Sequence, residues 1–324
     1  MICNSGSIKE NQTFTFYLFK KLSGLLNNDK GRKFTDGTNR GSYMLLEIAI
    51  GDAYGAGFEF ASKEKVTNYN NLTAYHEHGL GIAPGHYTDD TQMSIALAEL
   101  IVSSEPWTKE SITRKFVECF KRDKRLGYSK GFYAFLESIE SADEFLAKIK
   151  PNSTANGAAM RSVPIGLFPN IDDVLNKAKL QACVTHNTPV GINSSQAVAL
   201  ASHYFFYQLG PKQQVANFVQ SHTDIKWDIN WNKEVACCGH ETVNALLTVL
   251  VKARSFSEIL TQSVAFGGDV DTVAACALGI ASLNEDYVND LPAFLFAELE
   301  NNQYGRDYLI QLSAQLKRTI NSLS

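Results

Sequence analysis

Two short acidic motifs hold most of the chemistry available to this chain: Tyr87-Thr88-Asp89-Asp90-Thr91-Gln92-Met93 and Gly267-Gly268-Asp269-Val270-Asp271-Thr272-Val273-Ala274. Each stands at the start of an apolar run of helical period, the first helix beginning near Asp90. Thr and Asp are natural N-cap residues, so capping alone is the simplest reading of either motif by itself. One cap, however, uses one residue. Two carboxylates flanked by threonines offer more acidic oxygen than a cap requires, and hard cations such as Mg²⁺ or Mn²⁺ take this oxygen-only ligand set. If the two helix starts meet in space, Thr88, Asp89, Asp90, Asp269, Asp271 and Thr272 form a cage able to hold two divalent ions. Four carboxylates converging without a cation would repel and raise one another's pKa. Either cations sit there or the motifs never meet, and the pairing of two such motifs favours the metal site.

Other chemistry-bearing residues give weaker signals. His76, His78, His86, His203, His222 and His240 show no zinc spacing and read as structural. The six cysteines, at 3, 119, 183, 237, 238 and 276, include no CxxC pair, which fits a reducing compartment. The adjacent Cys237 and Cys238 are poorly placed for an ordinary disulfide and read as core or semi-buried packing. Asp52 reads as a residue that caps or ties loops, and Tyr204, Phe205, Phe206 and Tyr207 as helix packing.

The elements that must position the acidic motifs are helices. From Tyr43 onward, long segments of helical period alternate with short loops rich in Gly, Asn, Pro and Asp. They include residues 93–102, 112–120, 171–182, 195–209, 241–251, 257–265 and 271–283, where Ala, Leu and Glu dominate. The Asn-Gly and Asp-Gly turns that mark hairpins are nearly absent, so the chain reads as all-α. No repeat or low-complexity linker divides residues 41–324, which read as one domain. Residues 1–40 read as an appended arm. They carry seven Lys or Arg against three Asp or Glu, within a chain of 324 residues, 44% hydrophobic, with a net charge of -4. That overall balance does not ask for nucleic acid. The apolar stretch at Thr13–Phe19 makes a poor signal peptide, and no run reaches the roughly 18 apolar residues of a spanning helix. A cytoplasmic protein without a membrane partner is expected, and a monomer, since no heptad pattern demands assembly.

Six motifs in order resemble the ADP-ribosylglycohydrolase family, from about Leu45 to the Ser282 region. Gly51-Asp52-Ala53-Tyr54-Gly55-Ala56-Gly57-Phe58-Glu59 resembles its first helix, and Tyr87 to Met93 its Thr-Asp-Asp-Thr segment. Gly127-Tyr128-Ser129-Lys130-Gly131-Phe132 resembles the loop around the distal ribose and phosphates. Asn156-Gly157-Ala158-Ala159-Met160-Arg161 matches the Asn-Gly-x-x-Met-Arg motif, Thr185-His186 the Ser/Thr-His pair, and Gly267 to Thr272 the closing acidic motif. Val270 departs from the family's small or polar residue at that position, and residues 1–40 have no counterpart.

The resemblance implies an orthogonal multi-helix bundle with two Mg²⁺ or Mn²⁺ ions at the base of an ADP-ribose cleft, held by Thr88, Asp89, Asp90, Asp269, Asp271 and Thr272. It assigns Asn156, Gly157, Met160 and Arg161 to the cleft, and Tyr128, Gly131, Phe132 and His186 to the nucleotide side. The implied reaction releases ADP-ribose from a modified protein side chain, arginine favoured over serine. Asp90 or a neighbouring ligand carboxylate such as Asp269 would take a proton from water, and Glu59 would protonate the leaving group or gate the site. Two alternatives stay open. One is an immunity-type protein whose arm binds and blocks an ADP-ribosyltransferase toxin, with or without hydrolysis. The other is a di-metal phosphoesterase that would yield AMP.

Overall fold

The computed structural model describes residues 43–323, so the expectations for residues 1–40, the arm and its transferase partner included, lie outside the described residues. The architecture is all-α, as the periodicity predicts. The helices are α1 (Met44–Ala56), α2 (Lys63–Tyr69), α3 (Asp89–Ser103), α4 (Lys109–Arg122), α5 (Lys130–Ser138), α6 (Ala142–Lys148) and α7 (Gly157–Met160). They continue as α8 (Ile171–Thr185), α9 (Pro189–Phe206), α10 (Val215–Gln220), α11 (Gly239–Lys252), α12 (Phe256–Ala265), α13 (Val270–Ala281), α14 (Ala293–Ala297) and α15 (Arg306–Asn321). Extended pairing among the described residues is limited to three isolated bridges, Asn152 with His186, Val235 with Gly268 and Ser255 with Val288. No helix among them is long and apolar enough to cross a membrane.

The centre of the bundle is the pair α1 and α13, both buried along their whole length. They can approach closely because α1 presents Gly51 and Gly55. A Cβ on Gly51 would lie 2.4 Å from the Ala274 carbonyl oxygen, and one on Gly55 2.4 Å from the Asp271 Cα. The glycines of the first motif thus serve helix contact, and they set Asp52 of α1 beside the start of α3 and Asp271 of α13. Around this pair the buried apolar side chains form one large cluster, with Val235, Ala245 and Val273 as a small satellite. Tyr204 and Phe205 are buried in it, as expected of helix packing.

Helix ends follow local signals more than apolar periodicity. The run predicted over 195–209 is a helix from Pro189 to Phe206: Thr188 caps it by accepting from the Gly191 N–H at 3.1 Å, with Pro at the first turn. It stops before Leu209 because Gln208 takes a left-handed φ of 49°. Glu59 falls three residues beyond α1, in the turn that follows it.

One buried acid sits far from the acidic motifs. Glu47, in the first turn of α1 and 5% exposed, accepts from the Tyr43 N–H at 3.0 Å. Burial pushes its carboxyl up to about 7, against hydrogen bonds from its own and the Tyr43 backbone that lower it. A carboxyl raised on folding favours the folded state below its unfolded value, and that advantage is lost as pH rises through the folded value. Glu47→Gln keeps the acceptor and removes the charge. Between about pH 5 and about pH 8 the wild-type protein should therefore lose up to about 3 kcal/mol relative to the variant. Parallel melting temperatures for the two proteins across that window would refute this account of Glu47.

Candidate functional site

The α3 start is tied down from α1. Asp52 of α1, fully buried, accepts from the Thr88 N–H at 2.9 Å, the Thr88 hydroxyl at 2.8 Å, the Thr91 N–H at 3.0 Å and the Thr91 hydroxyl at 2.5 Å. Thr88 supplies the cap, accepting from the Asp90 N–H at 3.4 Å. The Thr88, Asp90 and Thr91 N–H groups are thus met by Asp52 and Thr88, and Asp90 Oδ1 is buried with no hydrogen-bond partner among the described residues. An ionised oxygen left in that condition is costly unless a cation meets it. Asp52 fills the tie role read for it, and its carboxylate also stands with those of Asp90 and Asp271.

The α13 start is built differently. Gly267 and Gly268 take φ of 75° and 84°, a region that favours glycine, and a Cβ on Gly268 would lie 2.0 Å from the Val235 carbonyl oxygen. This close passage is fixed by Val235 N–H to Gly267 O at 3.0 Å and Asp269 N–H to Val235 O at 2.8 Å. The Gly268 carbonyl also accepts from the Phe60 N–H at 2.8 Å, which brings the turn carrying Glu59 alongside. Asp269 occupies the N-cap position yet makes no side-chain cap bond. Its Oδ2 accepts instead from Asn156 Nδ2 at 3.0 Å, and the same amide donates to Thr272 Oγ1 at 3.1 Å. Asp271 Oδ1 accepts from the Thr272 N–H at 2.9 Å.

The two helix starts meet. Asp52, Asp90 and Asp271 place carboxylate oxygens within 4.8 Å of one another, and so do Glu59, Asp269 and Asp271, the two groups sharing Asp271. Burial is the first cause that pushes Asp89, Asp90 and Asp271 well above the usual carboxylate range, and neighbouring carboxylates push the same way. Burial also raises Asp269, while Asp52 reaches about 6 despite its threonine donors. Crowded buried acids, an orphaned Asp90 oxygen and oxygen-only donors together fit a hard divalent cation. Asp89 borders the same pocket outside either group, while Thr88 is fully buried, its hydroxyl 2.8 Å from Asp52 Oδ1 and 3.5 Å from Asp90 Oδ2.

Glu59, Asp89, Asp90, Asp269, Asp271 and Thr272 line a cavity of about 650 Å³, a size that suits a small organic ligand. Tyr128, Phe132, Asn156, Gly157 and Met160 border it, as do Arg161 and His186. Tyr128 is held by donating its hydroxyl to Gln92 Oε1 at 2.8 Å. Gly131, expected on the nucleotide side, is exposed on the first turn of α5 between the lining residues Lys130 and Phe132, with no described residue within 4 Å of where its Cβ would be. Two lining residues carried no signal of their own in the sequence. His78, read as structural, pairs its Nε2 with Glu59 Oε2, while its Nδ1 accepts from the Leu80 N–H at 2.9 Å. Cys237, read as packing, is exposed in the pocket beside Asp269. Both reach the site from loops, where no periodicity announces them; proximity to Glu59 and Asp269 appears only once the chain is folded.

The sequence profile of the ADP-ribosylglycohydrolase family matches residues 38–322. Among curated proteins, the ADP-ribosyl-[dinitrogen reductase] glycohydrolase of Rhodospirillum rubrum is 26% identical over 266 residues, covering 79% of this chain and 88% of that protein. The ADP-ribosylhydrolase ARH3 of Xenopus tropicalis is 29% identical over 180 residues, 52% of this chain and 51% of that one. The ADP-ribosylarginine hydrolase Tri1 of Pseudomonas putida (strain GB-1) is 23% identical over 257 residues, 74% and 68% of the two chains. A solved structure described as an ADP-ribosylglycohydrolase-related protein complex superposes with a TM-score of 0.70 at 21% identity, covering 87% of this chain and 99% of its own, a likeness of fold.

Proposed function

The chain belongs to the ADP-ribosylglycohydrolase family, and from that premise we propose that it is a binuclear-metal-dependent hydrolase that releases ADP-ribose from modified protein side chains, arginine in preference to serine. The observation that carries the reading is the meeting of the α3 and α13 starts, which forms two carboxylate groups sharing Asp271 and sets Glu59, Asp90, Asp269 and Asp271 in the wall of the cavity. Arginine is favoured because one of the relatives is named for that linkage. Thr88, Asp89, Asp90, Asp269, Asp271 and Thr272 would hold the two ions, Mg²⁺ or Mn²⁺, with Asp52 anchoring the Thr88 side. Bound there, such cations supply Lewis acidity for the sugar hydroxyls and for a water at the anomeric carbon.

The chain's own groups account for the protons. As the anomeric C–N bond breaks and a C–O bond to water forms, Asp90 or Asp269 accepts the proton that water gives up. Glu59, held by His78, delivers a proton to the departing guanidine nitrogen. Asn156 fixes Asp269 and Thr272 with one amide group, so the base and its neighbour keep their orientation. Tyr128 and Phe132 offer aromatic surface to the nucleotide, and His186 a polar edge. Water exclusion is partial, since Phe60 and Leu80 at the rim are 57% and 53% exposed.

Protein carrying ADP-ribosyl-arginine or ADP-ribosyl-serine, incubated with Mg²⁺ or with EDTA, tests the proposal. Intact ADP-ribose should appear from the arginine substrate with the cation and fall to background with EDTA. AMP as the product would point to pyrophosphate cleavage instead, and no product from either substrate would refute hydrolysis.

A further inference from the structure

His186 stands at one end of a buried hydrogen-bond chain. Arg161, 1% exposed, is the other end. Its guanidinium can only donate. Nη2 donates to the Gln181 carbonyl at 3.2 Å and to Thr185 Oγ1 at 2.8 Å, and Nε donates to Gln181 Oε1. Gln181 cannot turn to release it, because its amide Nε2 is engaged by the Ala158 carbonyl at 2.8 Å, Ser162 Oγ at 3.0 Å and Ser195 Oγ at 2.6 Å. The Phe116 ring closes one face of the guanidinium at 4.5 Å from its centroid.

Thr185 Oγ1 lies 2.7 Å from His186 Nδ1. With Arg161 donating to this oxygen, the single Thr185 hydroxyl hydrogen has Nδ1 as its acceptor. Were Nδ1 protonated, the Thr185 oxygen would accept from both Nη2 and Nδ1, and its own hydrogen would be a buried donor with no acceptor among the described residues. The ring itself is clamped: a Cβ on Gly191 would lie 2.5 Å from His186 Cβ, and one on Gly157 3.0 Å from Cε1 and 3.2 Å from Nε2. Both His186 and Gly157 border the cavity.

We infer that Arg161 and Thr185 act as positioning residues that lock His186 in its Nε2–H tautomer, a fixed donor that reads an acceptor oxygen of the ligand. Burial and the nearby Arg161 charge hold the imidazole down to about 3, so the ring stays uncharged at working pH and recognises by hydrogen bond rather than by charge. In the proposed reaction the acceptor is a ribose or phosphate oxygen of ADP-ribose; that identity rests on the function proposed above, whereas the tautomer does not.

The test uses full-length protein labelled with ¹⁵N-histidine, with the His186 signals assigned by their loss in His186→Gln. The two ring nitrogens should report Nε2 protonated and Nδ1 bare in the wild type and in Thr185→Ser. In Thr185→Val the signals should shift toward a mixture of tautomers. ADP-ribose affinity by calorimetry should fall by about tenfold in Thr185→Val, or about 1.4 kcal/mol, and stay near wild type in Thr185→Ser. A protonated Nδ1 in the wild type overturns the inference, as does Thr185→Val with unchanged tautomer and affinity. Should Thr185→Val fail to fold, the wild-type and Thr185→Ser spectra decide. Wild-type protein that binds no ADP-ribose would refute the proposed function, and the spectra alone would then judge the relay.

Discussion

Replacing Asp271 by Asn should make the cation-free protein more stable while abolishing its response to divalent ions. Asp271 is 4% exposed and belongs to both carboxylate groups, so it faces Glu59, Asp269, Asp90 and Asp52 at once. Without a cation these charges oppose one another in a buried place, and removing the shared one relieves every pair. Asn has nearly the same size and keeps the carbonyl oxygen that accepts the Thr272 N–H at 2.9 Å, so the α13 start need not move. In EDTA the variant should melt above wild type by the equivalent of about 1–2 kcal/mol, the scale of a single favourable change at a strained site. Added Mg²⁺ should raise the wild-type melting temperature through ligand linkage and leave the variant nearly unmoved. Turnover should fall by more than about a hundredfold, since loss of even an outer partner of a metal ligand costs about ten- to a hundredfold. A variant less stable than wild type in EDTA, or one that keeps the Mg²⁺ response, would contradict the cation site.

Gly55→Ala should destabilise the protein and silence the same site from the opposite side of the helix contact. Two effects compete. Alanine in place of glycine inside a helix favours the helix by about 1 kcal/mol. Against this, the added Cβ would lie 2.4 Å from the Asp271 Cα and 3.0 Å from its nitrogen, and both are main-chain atoms that no rotamer change can clear. Overpacking of this kind costs about 1–3 kcal/mol, and here it needs separation of the two helices that form the centre of the bundle, so the steric cost prevails. The displacement falls on a carboxylate shared by both groups, where a shift of about 1 Å costs about a hundredfold in rate. The checks are the melting temperature and the release of ADP-ribose. An alanine variant as stable and as active as wild type would mean that the helices approach less closely than described.

The helical class and the two acidic helix starts were legible from residue types and spacing. Helix period, Gly and Pro punctuation and threonines at helix starts are local signals, and local signals survive in a linear string. Legibility faded where the reason for a residue lay across the fold. Gly51 and Gly55 read as part of a motif, but their cause is the main chain of α13, more than two hundred positions away. Gly131 carried the same motif-level expectation, and no described residue packs where its side chain would be. His78 and Cys237 had no periodicity or spacing to mark them, being loop residues whose partners, Glu59 and Asp269, are distant in sequence.

By itself, then, the sequence determined the inventory: which carboxylates open helices, which segments are helical, and where the family's motifs stand in order. Only the tertiary structure decided what each acid does. Asp89 and Asp90 look alike in the string, yet Thr88 caps the helix, Asp52 ties its start, and Asp90 keeps one buried oxygen, Oδ1, with no partner among the described residues. Likewise Thr185 next to His186 is a mere dipeptide until Arg161 is folded against it and leaves its hydroxyl a single direction in which to donate. The physical reason is the same in both cases. A hydrogen bond or a charge acts over a few ångströms of space whatever the distance along the chain, so the state of a side chain is set by neighbours that only folding supplies.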